Sequence, residues 1–193
     1  MNARFGDSVV DHYTYVIAGD GCLMEGISQE AISMAGHMKL SKLIVLFDDN
    51  GISIDGSTNL TVSDDHIARF EAYGWHTATA DGHDFDSIRM AISDAKNSQQ
   101  PSFVAFKTQI GFGSPNKGGT AACHGAPLGA EEVELVRSTL NWSEEPFIIE
   151  KNRLTENLEI VKELKSDYTI HNIYGKIETS LFKKTVHFHT SYH

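Results

Sequence analysis

An α/β fold, a parallel sheet flanked by helices, is predicted by three features of the sequence. Two apolar, β-rich runs, Tyr15-Val16-Ile17-Ala18 and Leu43 to Phe47, bracket a stretch with helical spacing. Each run stops abruptly on polar residues, the first at Gly19-Asp20-Gly21 and the second at Asp48-Asp49-Asn50. A second pair of runs, Trp75 to Ala80 and Ser102 to Lys107, brackets an amphipathic stretch from Asp84 to Lys96. Strand, helix and strand, twice over, read as two βαβ units, the connection that parallel strands require.

The elements follow in order. The first helix spans Met24 to Met38, with Ile27, Ala31, Met34, Ala35 and Met38 on the side expected to face the sheet. Gly26, Ala31, Ala35 and Gly36 are small, which suits close packing on strands, and His37 reads as a cation at the helix C-terminus. Glu25 begins this helix as an acid at its positive end. Past the second strand, the alternation Ile52 to Gly56 predicts a short extended segment and a turn. Ser63-Asp64-Asp65 predicts a cap and acidic first turn for a helix reaching Tyr73. The Asp84 to Lys96 helix sets Phe85, Ile88, Ala91, Ile92 and Ala95 on one face. His76 and His83, near strand ends, read as exposed or hydrogen-bonded histidines.

Gln109 to Gly129 is a glycine-rich loop, too long to be a plain connection, and long loops at a sheet's carboxyl edge usually carry function. Ala130 to Leu140, opening with Glu131-Glu132, is a helix expected to leave the domain. These elements place one domain over residues 1–142 and an unassigned tail over 143–193, with a helix candidate from Leu154 to Lys165. The tail carries His187, His189 and His193. A His-x-His pair binds zinc on a strand, but no carboxylate or cysteine accompanies this one, so an accidental cluster is the stronger reading.

In parallel sheets, ligands bind beyond the carboxyl ends of the strands. Asp20 and Asn50 fall at that edge, one per strand. A carboxylate and an amide oxygen are hard ligands that suit Mg²⁺ or Ca²⁺, and Mg²⁺ completes its shell with phosphate oxygens and water. Gly19 and Gly21 let the backbone approach a phosphate, with a helix N-terminus behind them. No Lys or Arg lies between Asp20 and Met38, so a diphosphate there relies on a divalent cation and backbone N–H groups. The stretch predicts a metal–diphosphate site. Gly-Asp-Gly alone is more often a turn than a site, and the pairing with Asn50 carries the signal.

The charge balance, 16 Lys+Arg against 26 Asp+Glu for a net −10, argues against nucleic-acid and anionic membrane partners. No apolar run approaches the roughly 20 residues that cross a bilayer. Cys22 and Cys123 lie far apart without metal-ligand spacing, and two reduced thiols in a cytoplasmic protein are expected.

Three segments carry a family resemblance: GDGCLMEGISQEA from Gly19, DDNGISIDGST from Asp48, and KTQIGFGSPNKGGTAACHGAPLGAEE from Lys107. Gly-Asp-Gly closed at Asn50 resembles the thiamine diphosphate fingerprint, and the fuller text resembles transketolase from Asn2 to about Trp142. Met1 to Asp7 resembles an internal stretch of that family, so the chain is expected to lack the family's first segment as well as its pyrimidine-binding and C-terminal domains. Deoxyxylulose phosphate synthases share the Gly-Asp-Gly plan, but DDNGISIDG and HGAP favour transketolase.

The resemblance implies a thiamine diphosphate-binding fold and transfer of a two-carbon ketol unit between sugar phosphates, a ketose donor and an aldose acceptor, in the pentose phosphate pathway. It implies thiamine diphosphate with Mg²⁺ or Ca²⁺ as cofactors. Asp20, Asn50 and the Ile52 carbonyl would hold the metal, and Gly19, Gly21 and His124 the diphosphate. Ile54 and Ile110 would flank the thiazolium ring. For Ile52 and Ile54, judged by side chain alone, packing in the core is the stronger reading. Asp48 and Asp49 share the edge but have no implied role. His124 in its Cys123-His124-Gly125-Ala126-Pro127 context would face the substrate channel. Glu25 would sit near the dimer interface and communicate with a second active site. The expected partners are a second copy of the chain or a chain carrying the pyrimidine-binding domain, without which no turnover is expected. The alternatives are a non-catalytic thiamine diphosphate-binding module and a truncated gene product.

Overall fold

The computed structural model describes residues 2–148. The helix candidate Leu154 to Lys165 and the histidines His187, His189 and His193 lie outside them. The chain divides into the units Met1–Trp142 and Ser143–His193, and every element below belongs to the first.

A four-stranded sheet, all parallel, has the order β1 (Thr14–Gly19), β2 (Leu43–Asp49), β6 (Ser102–Lys107), β5 (His76–Asp81). A two-stranded antiparallel hairpin, β3 (Ile52–Ser53) and β4 (Gly56–Ser57), follows β2. The helices are α1 (Asn2–Phe5), α2 (Asp20–Met24), α3 (Gly26–His37), α4 (His66–Ala72), α5 (Phe85–Asn97) and α6 (Ala130–Thr139). The two βαβ units expected from the sequence are both present. They join side by side, with β2 against β6.

The two central strands bury both faces, so they alternate between two cores instead of between core and water. Val45, Phe47, Phe103 and Ala105 meet Ile32 and Ala35 of α3 and Phe70 of α4. Ile44, Val104 and Phe106 meet Ala95, Ile88, Ala91 and Ile92 of α5. The Trp75 indole N–H donates to the Ile32 carbonyl at 2.9 Å, tying the start of β5 to α3. Caps form where the sequence places them: Asp65 accepts from the Ala68 amide at 3.0 Å and Asp84 from the Asp86 amide at 2.9 Å. At the head of α5, Phe85 is 80% exposed and does not join the face predicted for it, because Asp84 caps the helix there and turns its first residue outward.

The single helix expected from Met24 to Met38 is two. Glu25 has extended backbone between α2 and α3. The carbonyls that α2 leaves open accept from side chains of α3, Cys22 from Ser28 Oγ at 2.7 Å and Leu23 from Gln29 Nε2 at 2.5 Å. The break resets the phase of α3. Ile32, Ala35 and Gly36 face inward, while Ile27, Ala31, Met34 and Met38, four of the five residues predicted to face the sheet, point out.

Gly36 explains why that phase holds. A Cβ there would lie 2.0 Å from the Tyr73 carbonyl oxygen, so only glycine lets α3 sit against the turn after α4. Gly36→Ala gains up to about 1 kcal/mol of helix propensity. We expect it nevertheless to destabilise the chain by roughly 1–3 kcal/mol, because a rigid carbonyl has to move. Urea unfolding checks this, and a variant at least as stable as the parent contradicts it.

Candidate functional site

All four strands run parallel, so their carboxyl ends meet along one edge. Gly19 is in register with Asp48, Asp49 with Lys107, and Asp81 with Lys107. Asp20, the first residue of α2, is only 7% exposed there. Its Oδ2 is buried with no hydrogen-bond partner. Burial raises its carboxyl above the ordinary range, Asp49 and Asp48 raise it further, and its own backbone N–H and Lys107 pull the other way. A buried carboxylate oxygen without a donor is costly unless something cationic completes it.

The other acids at this edge are engaged. Asp48 accepts from Asn50 Nδ2 at 3.0 Å and from the Thr108 hydroxyl. Asp49 pairs with the Lys107 ammonium. Asn50 Oδ1 accepts from the Ile52 amide at 2.9 Å, which fixes the amide's orientation and leaves the oxygen one further lone pair. Asp20, Asp49, Lys107, Thr58, Asp64 and His66 line a cavity of about 290 Å³. His66 is held below its ordinary range by burial, then by Arg69, whose guanidinium lies 2.8 Å from its Nδ1.

The remaining predicted residues do not line that cavity. Gly21 lies beside the hairpin, where an added Cβ would come 3.9 Å from Ser53 Oγ. At Gly19 an added Cβ would meet nothing within 4 Å. Glu25 is exposed at the N-cap of α3 and makes no capping bond. Ile54, for which core packing is the stronger reading by side chain alone, is instead 66% exposed. Its φ of 54° is a left-handed value that β-branched residues rarely adopt. Ile110 and His124 stand on the long loop, one near each end.

That loop is stitched to itself and to its surroundings. The Gly119 amide donates to the Ile110 carbonyl at 2.8 Å, and the Gly118 amide to the Ser114 carbonyl at 3.1 Å. A Cβ at Gly111 would lie 2.4 Å from Cys123 Sγ, so the segments carrying Ile110 and His124 are in close contact. At the loop's start the Gln109 amide donates to His83 Nε2 at 2.9 Å, and the His83 ring stacks on Phe112 at 3.8 Å between centroids.

The helix expected to leave the domain is latched to this loop. Glu132 is 6% exposed and accepts from the Ser114 hydroxyl, from the Asn116 amide at 2.9 Å and from Asn116 Nδ2 at 2.9 Å. These bonds, Ser114's first, hold its carboxyl down at about 2, against an ordinary 4.5. A depressed carboxyl adds stability above its unfolded value and loses it as pH falls through the folded one. The latch should therefore be intact above pH 4.5 and open as pH falls towards about 2. Amide exchange across the loop, followed down that range, should show an acid-induced release that Glu132→Gln abolishes.

Three residues at the site have no role in the sequence-based expectations: Lys107, His83 and Glu132. Lys107 ends a strand at the same edge as Asp49, and strand assignment alone suffices to find it. Nothing local marks the other two, whose partners lie 26 and 16–18 residues away.

Comparison with known proteins decides the family. Residues 1–176 match the family described as transketolase, thiamine diphosphate binding domain. The chain belongs to this transketolase family. Transketolase 2 of Vibrio parahaemolyticus is 59% identical over 145 residues, 75% of this chain and 22% of that protein. The transketolase of Cereibacter sphaeroides is 55% identical over 148 residues, 77% of this chain and 22% of that protein. Among solved structures, the transketolase of Campylobacter jejuni matches with a TM-score of 0.70 at 38% identity, covering 74% of this chain and 22% of that one. A Pichia stipitis transketolase complexed with sedoheptulose-7-phosphate matches with a TM-score of 0.72 at 40% identity, covering 83% and 25%. The chain thus spans about a quarter or less of each of these transketolases.

Proposed function

We propose that this chain holds thiamine diphosphate with a divalent cation, Mg²⁺ or Ca²⁺, and forms the cofactor-holding part of an enzyme that transfers a two-carbon ketol unit between sugar phosphates. The observation that carries the reading is the buried, unpartnered Asp20 Oδ2 at the carboxyl edge of a parallel sheet. Among the groups at this edge it is the one whose chemistry lacks a partner, and a hard cation supplies one. Asp20 and Asn50 Oδ1 would coordinate the cation together with the Ile52 carbonyl. Gly19 and Gly21 would leave the phosphates room to approach, and His124 would hydrogen-bond the diphosphate and face the substrate. Ile54 and Ile110 would flank the thiazolium ring, a role that suits an exposed isoleucine held in a strained conformation. When bound, the cofactor supplies the electron sink for breaking and forming a carbon–carbon bond.

The sugar-phosphate assignment draws on relatives solved with xylulose-5-phosphate, fructose-6-phosphate and sedoheptulose-7-phosphate. The groups that activate the cofactor and grip the sugar phosphate would come from a pyrimidine-binding domain, supplied by a second chain, and Glu25 would lie near that contact. Cys22 and Cys123, both free, suit a reducing compartment such as the cytoplasm.

Calorimetric titration of the full chain with thiamine diphosphate, with and without Mg²⁺, tests the reading. Saturable binding that requires the metal is expected. A chain that melts cooperatively and binds nothing under either condition would refute it.

A further inference from the structure

We propose that Glu132 is a positioning residue for the cofactor site, acting through the loop that carries Ile110 and His124. Its carboxylate lies in the first turn of α6 and bonds Ser114 and Asn116, midway along that loop. The buried charge has no cationic partner among the described residues, so the three donors of the loop alone satisfy it. That makes the latch two-sided: removing the carboxylate strands the buried Ser114 hydroxyl, and displacing the loop strands a buried carboxylate. Ser114 relays the constraint. Its amide donates to the Gly111 carbonyl at 2.9 Å, and its carbonyl accepts from the Gly118 amide at 3.1 Å. Gly111 in turn abuts Cys123, the neighbour of His124. Holding Ser114 therefore holds both segments that face the cofactor. Lys117 reinforces the closure by donating from Nζ to the Leu128 carbonyl at 2.7 Å.

The inference rests on the cofactor reading above, and the test separates the two. Amide exchange of the cofactor-free chain reads the latch, and calorimetry with thiamine diphosphate and Mg²⁺ reads its consequence. Glu132→Ala should speed exchange over residues 111–124 by roughly 10- to 100-fold. It should also weaken cofactor affinity about tenfold, comparable to the loss of an outer-shell partner. Glu132→Gln keeps the volume and one acceptor oxygen, so it should fall between the parent and Glu132→Ala on both measures, and it stands in if the alanine variant does not fold. A purely structural role would lower the melting temperature while leaving the affinity of the folded fraction unchanged, and that result overturns the proposal. Unchanged exchange in both variants overturns it as well. A parent chain that binds no cofactor sinks the cofactor reading and this role together, and exchange then decides only whether the latch orders the loop.

Discussion

Asp20→Asn is expected to abolish metal-dependent binding of thiamine diphosphate, weakening it at least ~100-fold, while making the cofactor-free chain more stable. The two signs come from one fact. Asp20 is buried with Oδ2 unpartnered, and Asp49 and Asp48 push its carboxyl towards the protonated form. Without a cation, that group is a liability of the fold. An amide of the same size loses the charge, and its Nδ2 becomes a donor facing two carboxylates. A gain on the order of 1 kcal/mol in urea unfolding follows from relieving such an unsatisfied group. With the cation, the same substitution removes a ligand, and losses larger than the 10- to 100-fold of outer-shell changes are expected. Calorimetry and unfolding on one preparation check both signs. A variant that binds normally removes Asp20 from the site, and one less stable than the parent overturns the claim that its carboxylate is a liability of the cofactor-free fold.

Phe70→Ala should be the most damaging core substitution, at about 3–5 kcal/mol. Phe70 is 0% exposed, stacks on Phe103 of β6 at 3.8 Å between centroids, and meets Trp75 edge-on at 5.0 Å. It joins α4, the residue leading into β5 and the central strand in one cluster. Truncation leaves a cavity between α4 and the sheet that packing on both sides keeps from collapsing. Domains of this size have only about 5–15 kcal/mol in total, so the variant should unfold at much lower urea. Trp75, packed on the missing ring, reports the change by its fluorescence. A midpoint shift of less than about 1 kcal/mol would mean that Phe70 does not organise this core.

The sheet was legible because its signals are local. Continuous apolar runs ending in Asp or Gly clusters locate β1 and β2, and Asp65 and Asp84 mark helix starts by their side-chain chemistry. The phase of α3 was not. Apolar spacing puts Ile27, Met34 and Met38 on one stripe, but the break at Glu25 and the contact of Gly36 with the Tyr73 carbonyl turn that stripe outward. A steric contact across 37 residues leaves no trace in periodicity. The same division runs through the candidate site. Asp20 and Asn50 stand out because they end strands, whereas His83 and Glu132 are ordinary until the loop folds back on them. Lys107 lies between these cases: a search confined to Asp20 to Met38 finds no Lys or Arg, yet strand register brings one to the edge.

The strand order has a consequence for how the chain comes together. β1 with β2, and β5 with β6, are each joined through a single βαβ connection, so either half closes at modest entropic expense. Pairing β2 with β6 joins the partners most distant in sequence within the sheet, Ile44 with Ser102 among them. Contacts of that separation form slowly, because a long loop closes before any of them is made. The bonds from Thr108 to Asp48 and from Lys107 to Asp49 straddle this junction. The cavity beside Asp20, lined by Asp49 from one half and by Thr79 and Lys107 from the other, therefore comes into being only when the two dock.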